Sequence, residues 1–309
     1  MSTQFDKIAE HAAADGKVTA DEVLQLRREC WPDGIISKSE AEAIFSLNDK
    51  LAERGPEWTD FFVEALSVFT VMQLEPKGYV SDENAEWLKG RIDHDGVLGS
   101  MAECELVMKI FERARNVPQS MKDWVIDRME HAVLEGTGPT RDGGQLEKGN
   151  VNAAEANLLR RAIFAPASDR PGAVGRSEAD LLFRLKDATL GADNAPEWKQ
   201  LFVQGVGNYL QGYHLPNAQI SRERAAELDI FMADTSRSVG RFVGRMAKAS
   251  PNVFGQVFGK REAAPALEAR ALDARQLDSA EQAWLDGKIH ADGQIDEYEQ
   301  ALLDFLAEG

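Results

Sequence analysis

The sequence contains few of the residues on which familiar catalytic and metal-binding motifs depend. It has five histidines and two cysteines in 309 residues. No GxSxG or Walker sequence occurs, so these enzyme signatures are absent from the sequence. No Cys/His grouping occurs either, so neither a zinc site nor a disulfide framework is indicated. Cys30 and Cys104 fall on helical patterns, and we predict that both are buried free thiols.

Basic charge and long apolar runs are also scarce. The chain has 35 Lys and Arg against 52 Asp and Glu, a net charge of -17, which argues against nucleic acid and favours cations and basic partners. No run of 18 apolar residues occurs. The first residues, MSTQFDKIAEHAAADG, lack the basic start and apolar core of a signal peptide, so we expect a cytoplasmic protein.

What the sequence does contain is a repeated turn that leads into a helix. Its clearest copies are DGKVTADE from Asp15, DGIISKSE from Asp33, KGNVNAAE from Lys148, PGAVGRSE from Pro171 and DGQIDEYE from Asp292. Weaker copies begin at Lys77, Asp95 and Asn217. A longer duplication relates GPEWTDFFVEALSVFTV from Gly55 to APEWKQLFVQGVGNYLQ from Ala195, 140 residues later.

These repeats predict an all-α fold of tandem helical repeats in two duplicated halves, 1–140 and 143–309, with about four units. The first half holds the units from Asp15 and Lys77. The second holds the unit from Lys148, a partial unit from Asn217, a basic insertion at about 235–272 and a final unit at 274–309. Each unit reads as two turn-plus-helix elements followed by a longer helix that opens at a proline. In the first such helix, seven residues share one predicted apolar face: Trp58, Phe61, Phe62, Ala65, Leu66, Phe69 and Met72.

The repeated turn has a structural explanation in helix capping. A Ser, Thr, Asn or Asp is followed three residues later by Glu, which is the capping box, worth about 1 kcal/mol for each cap. The pairs are Thr19 with Glu22, Ser37 with Glu40, Asn152 with Glu155, Asp278 with Glu281, and Asp296 with Glu299.

A metal-binding interpretation of the same turn is also open. In the second half of an EF-hand loop, Gly takes the sixth position and Glu the twelfth, and Glu22, Glu40 and Glu299 lie at that spacing. The first half of the loop is poor, and only Asp93 and Asp95 give a D-x-D pair, in a copy with Ala102 at the twelfth position. Any cation site is therefore expected to be weak or shared between turns.

The stretch IAEHAAADGKVTADEVLQLRREC from Ile8 resembles the tellurite-resistance TerB-like helical proteins, in which an alanine-rich helix runs into a DGxxxxxE turn. The resemblance implies an all-helical fold and an acidic, metal-associated site. Matched positions for that site are Asp15, Glu22, Asp33, Glu40, Asp292 and Glu299. Together with Asp93 and Asp95, they are the predicted ligands of a divalent cation, namely calcium, magnesium or manganese.

One segment departs from the acidic character of the chain. Residues 235–261 contain no Asp or Glu, and Arg237, Arg241 and Arg245 stand four apart beside Phe242. This basic amphipathic pattern predicts either a linker helix on the acidic body or a docking element for a partner or an anionic membrane surface.

Three functional hypotheses follow. The first is a non-catalytic helical-repeat binding or scaffold protein with a protein partner and weak divalent-cation binding at the Asp-Gly turns. The second is a carboxylate-metal enzyme, hydrolase-like, with a site between repeats. The third is attachment to a membrane surface through residues 237–261.

Overall fold

The structure is a computed structural model, and it describes residues 7–9, 11, 14–31, 34–94, 97–139, 149–165, 167, 172–210, 279–289 and 294–308. Regular structure in these ranges is almost entirely helical, which confirms the all-α prediction. Its contacts divide the chain into two compact units, unit 1 (Met1–Lys122) and unit 2 (Asp123–Gly309). The predicted repeat organisation and the halves 1–140 and 143–309 stay predictions.

In unit 1 the helices are α1 (Ala20–Cys30), α2 (Lys38–Lys50), α3 (Pro56–Val68), α4 (Asp82–Ile92) and α5 (Met101–Arg113). A π-helix, Phe69–Gln73, continues α3. Helix α6 (Gln119–Glu135) contains the division between the two units. Unit 2 then has α7 (Ala153–Ile163), α8 (Arg176–Ala188), α9 (Pro196–Leu210), α10 (Ser279–Ile289) and α11 (Glu297–Glu308).

One proline-opened helix is central to each unit. Helix α3 contacts α1, α2 and α5, and helix α9 contacts α7, α8 and α11. Trp58 and Trp198, at matching positions in the two central helices, are both completely buried. Burial of these large side chains against three neighbouring helices supplies much of the apolar core of each unit.

The π-helix changes the face on which one predicted core residue lies. Its wider turn ends with the hydrogen bond from Leu74 N to Phe69 O, which spans five residues rather than four. Trp58 to Phe69 keep their predicted apolar face, but Met72 is 46% exposed, so the prediction for Met72 was wrong. The extra residue in the turn rotates Met72 away from the core.

A short β-ladder is formed within the turn before α5. Asp93 pairs with Leu98 and His94 with Val97 in an antiparallel register. Ser100 then caps α5, so the helix begins one residue later than in the other turns. Within the described ranges, none of the helices combines the length and apolar character needed to cross a membrane.

Candidate functional site

Two of the predicted metal ligands serve as helix caps. Thr19 N donates to Glu22 Oε2 at 2.9 Å, and Ser37 N donates to Glu40 Oε2 at 2.8 Å. In each turn the first residue's hydroxyl also accepts from the amide of the Glu, which completes a capping box. The structure therefore places Glu22 and Glu40 in separate caps of α1 and α2.

The geometry of the turn before α1 also explains why a glycine stands at position 16. Gly16 has φ +76° and accepts through its carbonyl from Ala52 N at 2.8 Å. A Cβ on Gly16 would lie 2.9 Å from the Cβ of Ala52, so both the dihedral angle and the close approach favour glycine. Asp15 is exposed beside it, and its Oδ1 accepts from Lys17 N at 3.2 Å.

Asp93, another predicted ligand, lies in the short β-ladder at the end of α4. Because the helix start is displaced by one residue, the carboxylate of this turn is Glu103 rather than a group at position 102. Glu103 is 1% exposed, and Asn48 Nδ2 donates to its Oε1 at 3.0 Å. Spacing alone did not reveal Glu103, because the ladder inserts a residue into the turn.

Several predicted site residues lie outside the described ranges. They are Asp33, Asp95 and Asp292 among the metal ligands, and Arg237, Arg241, Arg245 and Phe242 in the basic segment. Cys104 is a buried free thiol, as predicted, and burial, with a smaller contribution from the neighbouring Glu103, raises its pKa to about 12. The side chain of Cys30 is not among those that the structure describes.

The remaining predicted ligand, Glu299, belongs to a buried ion cluster in unit 2. Lys186 Nζ lies 2.7 Å from Glu299 Oε1, 2.6 Å from Asp296 Oδ2 and 2.7 Å from Asp187 Oδ1. Lys186 and Glu299 are each 3% exposed, whereas Asp187 is 65% exposed. We call these four residues the Lys186 cluster.

The acidic pair in this cluster has two roles. Asp296 Oδ1 accepts from Glu299 N at 3.0 Å, and Asp296 N donates to Glu299 Oε2 at 3.1 Å, so the two residues cap α11 reciprocally. Their other oxygens face the ammonium group. A single capping pair therefore starts α11 and joins it to α8.

Burial and pairing act in opposite directions on the charges. Burial lowers the pKa of Lys186, but hydrogen bonds to Asp187, Asp296 and Glu299 outweigh it, and the pKa lies above its ordinary value. Burial likewise raises the pKa of Asp296, and its hydrogen bond with Lys186 outweighs that effect and lowers the pKa. Both groups are therefore charged at neutral pH, and the ion cluster is maintained.

The three acids have the geometry of a cation site. One oxygen from each of Asp187, Asp296 and Glu299 lies within 4.8 Å of the others, which suits a single ion. The Lys186 ammonium is hydrogen-bonded to all three groups, so the positive charge among these acids is that of a lysine side chain. One feature of the sequence indicates a buried lysine: Lys186 follows Ala179 and Leu182 at helical spacing, on the buried face of α8.

Unit 1 has an uncharged side chain at the corresponding position. Asn48 aligns with Lys186, and its Oδ1 accepts from Arg54 Nε at 3.0 Å and from Trp58 Nε1 at 3.1 Å. Its amide nitrogen donates to Glu103, the counterpart of Glu299. The cation of this network is thus Arg54, in the loop before α3.

A second cluster in unit 1 surrounds a tryptophan. Trp87 Nε1 donates to Glu42 Oε1 at 3.5 Å, and Arg91 Nη2 lies 3.0 Å from the same oxygen. Lys38 Nζ is 5.7 Å from the Trp87 ring centroid, and Phe45 contacts the ring edge to face at 5.8 Å. These contacts join α2 to α4.

The matching residues of unit 2 form the same contacts. Trp284 Nε1 donates to Asp180 Oδ1 at 3.0 Å, and Lys288 Nζ lies 2.8 Å from that oxygen. Arg176 is 5.5 Å from the Trp284 ring centroid, and Phe183 contacts the ring at 5.4 Å. Burial raises the pKa of Asp180, but hydrogen bonds from Lys288 and Trp284 outweigh it and lower the pKa.

No family model, curated protein or solved structure matches the chain.

Proposed function

We propose that this protein is a non-catalytic helical binding protein that engages a protein partner through an apolar surface on unit 1. The observation that carries the proposal is the outward position of Ile35, which is 62% exposed although it directly precedes the buried Ile36. Exposed apolar side chains that are grouped and held in place are typical of protein interaction sites.

A glutamine holds this surface in place. Gln73 Nε2 donates to Gly34 O at 2.9 Å, and Gln73 Oε1 accepts from Ile36 N at 2.9 Å. The backbone on both sides of Ile35 is therefore fixed to the end of the π-helix. Met72 precedes Gln73 and is 46% exposed, so two apolar side chains are presented in one region, which we call the Ile35 surface.

The use of the acidic groups supports binding over catalysis. Glu22 and Glu40 bond to the turns that they cap, and the acids of the Lys186 cluster are paired with an ammonium group. A carboxylate-metal enzyme would need such acids to be available to a metal ion or a substrate. Metal binding at the Asp-Gly turns stays a prediction.

Quantitative affinity capture with the full-length chain tests the proposal. The variant Ile35→Glu/Met72→Glu places charge on the Ile35 surface, and we expect it to lose a partner that the wild type enriches. Leu190→Glu is a matched control, because Leu190 is 44% exposed and lies in unit 2. Both variants should keep the free energy of unfolding within about 0.5 kcal/mol of the wild type, since surface substitutions have small effects.

Two results would count against the proposal. The first is that the wild type enriches no protein over unmodified beads. The second is that Ile35→Glu/Met72→Glu retains the same proteins, in the same amounts, as the wild type and Leu190→Glu.

A further inference from the structure

An arginine occupies the same position in α1 and in α7, but the group that it contacts differs. Arg27 is the eighth residue of α1 and Arg160 is the eighth residue of α7, while Glu64 and Gln204 are the ninth residues of α3 and α9. In unit 1 Arg27 Nη2 lies 2.7 Å from Glu64 Oε2. In unit 2 Arg160 Nη2 donates to Gln204 Oε1. Unit 2 therefore has a carboxamide at the position where unit 1 has a carboxylate.

The arginine and the carboxamide of unit 2 are also far less exposed. The side chains of Arg27 and Glu64 are 35% and 48% exposed, so solvent screens their charges. Arg160 is 4% exposed and Gln204 is 1% exposed. A buried guanidinium group is stabilised by hydrogen bonds and by negative charge, and a carboxamide supplies an acceptor but no charge. A negative charge that approaches Gln204 would thus be stabilised by Arg160.

The amide of Gln204 also has a buried donor that needs an acceptor. Its Oε1 accepts from Arg160, and arginine has no acceptor atom, so rotation of the amide by half a turn would place N–H groups against one another. This contact fixes the orientation of the amide. Its Nε2 is buried and has no hydrogen-bond partner in the described part of the chain. An unsatisfied buried donor is costly, and folded proteins generally supply it with an acceptor, an ordered water or an ion.

The charge of Arg160 favours an anion over water at this donor. Gln204 Nε2 belongs to the same amide that binds Arg160, so whatever it binds lies close to a guanidinium group. Attraction between opposite charges is much stronger in a buried site than at the surface. A small ion suits the site better than a larger molecule with a carboxylate, because both side chains are almost completely buried.

We propose that unit 2 binds one small monovalent anion, of the size and charge of chloride, between α7 and α9. Gln204 Nε2 donates a hydrogen bond to the anion, and Arg160 compensates its charge. At the matching position of unit 1 the carboxylate of Glu64 supplies the negative charge. This inference does not depend on the Ile35 surface or on its partner.

Urea unfolding of the full-length chain in two salts tests the proposal. Sodium gluconate is replaced stepwise by sodium chloride at constant ionic strength. Because the anion binds the folded state, the unfolding midpoint of the wild type should rise with chloride relative to that of Gln204→Glu, which carries its own negative charge. Gln204→Met removes the donor and should behave like Gln204→Glu. Glu64→Gln is the matched control in unit 1, and its midpoint should follow that of the wild type.

Two results would overturn the proposal. The first is that the midpoints of the wild type, Gln204→Glu and Gln204→Met change in parallel between the two salts, as they would if Gln204 Nε2 bound only water. The second comes from wild-type crystals grown in sodium bromide, in which we expect an anomalous scattering peak at the site. A map without a peak within hydrogen-bonding distance of Gln204 Nε2 contradicts anion binding, whether or not the variants fold.

Discussion

Units 1 and 2 each have a buried acid at the start of a helix, Glu103 and Glu299, but the side chains around it differ. In unit 1 the helix contributes Asn48 and the following loop contributes Arg54. In unit 2 the helix contributes Lys186 and the loop contributes Asn194, which bonds to Tyr298 Oη at 3.1 Å. In unit 1 the amide is therefore on the helix and the cation is in the loop, whereas in unit 2 the cation is on the helix and the amide is in the loop.

One feature is common to both units. A buried carboxylate is present at the third residue of α5 in unit 1, Glu103, and at the third residue of α11 in unit 2, Glu299. Burial of a carboxylate is costly unless hydrogen bonds or a cation compensate it. Lys186 pairs directly with Glu299, whereas Glu103 accepts from Asn48, which in turn accepts from Arg54. The tryptophan clusters differ less, because their acid, cations and aromatic neighbours keep the same places.

The two buried tryptophans differ in their hydrogen bonding. Trp58 Nε1 donates to Asn48, whereas the buried Trp198 Nε1 has no hydrogen-bond partner among the described residues. Lysine has no acceptor atom, so a lysine at position 186 cannot replace the carboxamide oxygen.

The largest expected effect comes from removing the cation of unit 2. Lys186→Met leaves Asp296 and Glu299 facing each other without their partner, and we expect a loss of about 3–5 kcal/mol in the free energy of unfolding. Denaturant unfolding measures the loss. Lys199→Met is the control, because its exposed ion pair with Glu297 contributes about 0–1 kcal/mol.

A transplant sharpens the same comparison. Lys186→Asn/Asn194→Arg gives unit 2 the arrangement of unit 1, and we expect it to be more stable than Lys186→Asn alone. Equal stability of the two variants would show that loop and helix cations are not interchangeable.

The second prediction concerns pH. Since the folded-state pKa of Asp296 is lowered, its stabilising contribution is complete above the unfolded value of about 3.9 and is lost as pH falls through the folded value. The pKa of Lys186 is raised, so its contribution is complete below about 10.4 and is lost as pH rises through the folded value.

Unfolding free energies of the wild type and of Lys186→Met/Asp296→Asn/Glu299→Gln should therefore differ by a constant amount between about pH 5 and pH 9. Below about pH 4 the wild type should lose this contribution of the cluster. A difference that does not change between pH 7 and pH 2 would contradict the assigned ion pairs.

The third prediction compares the two buried tryptophans. Trp58→Phe removes a donor from Asn48 and should cost about 1 kcal/mol more than Trp198→Phe, which removes a donor that has no partner in the described part of the chain. The loss of ring volume is the same in both variants and cancels in the comparison. Equal losses by chemical denaturation would contradict the assigned difference in hydrogen bonding.

The smallest expected effects are at the caps. Thr19→Ala and Ser37→Ala should each cost about 1 kcal/mol, because each removes the side-chain acceptor for a helix amide. Thermal unfolding of these variants, with Thr59→Ala as a control within α3, measures the effect. A loss no larger than that of the control would refute the cap assignment.

The predicted cation binding at the same turns should stabilise the wild type by only about 0.4 kcal/mol when the free ion concentration equals the dissociation constant. Calorimetry and melting with millimolar calcium, magnesium and manganese measure this. Unchanged melting temperatures and no heat of binding would reject the metal prediction for Asp15, Glu22 and Glu40.

Sequence reasoning succeeded where the controlling interactions are local. The caps at Thr19, Ser37 and Asn152 follow from residues three apart, and the buried side of α3 follows from helical spacing. It failed at Met72 and Glu103, where a π-helix and a short ladder each change the register by one residue. Such shifts depend on packing around the turn and leave little trace in a repeat pattern.

By itself, the sequence determined the helical fold class, the positions of the capped turns and the proline-opened central helices, because spacing and capping act within a few residues. Only the tertiary structure decided that Lys186 pairs with Asp296 and Glu299 as well as with its neighbour Asp187, since Asp296 and Glu299 lie at the start of another helix more than 100 residues away. It also decided that Gln73 holds Ile35 outward. Both outcomes require distant segments to pack together. The pairing of Lys186 and the exposure of Ile35 then depend on residues far away in the sequence, which a local pattern cannot predict.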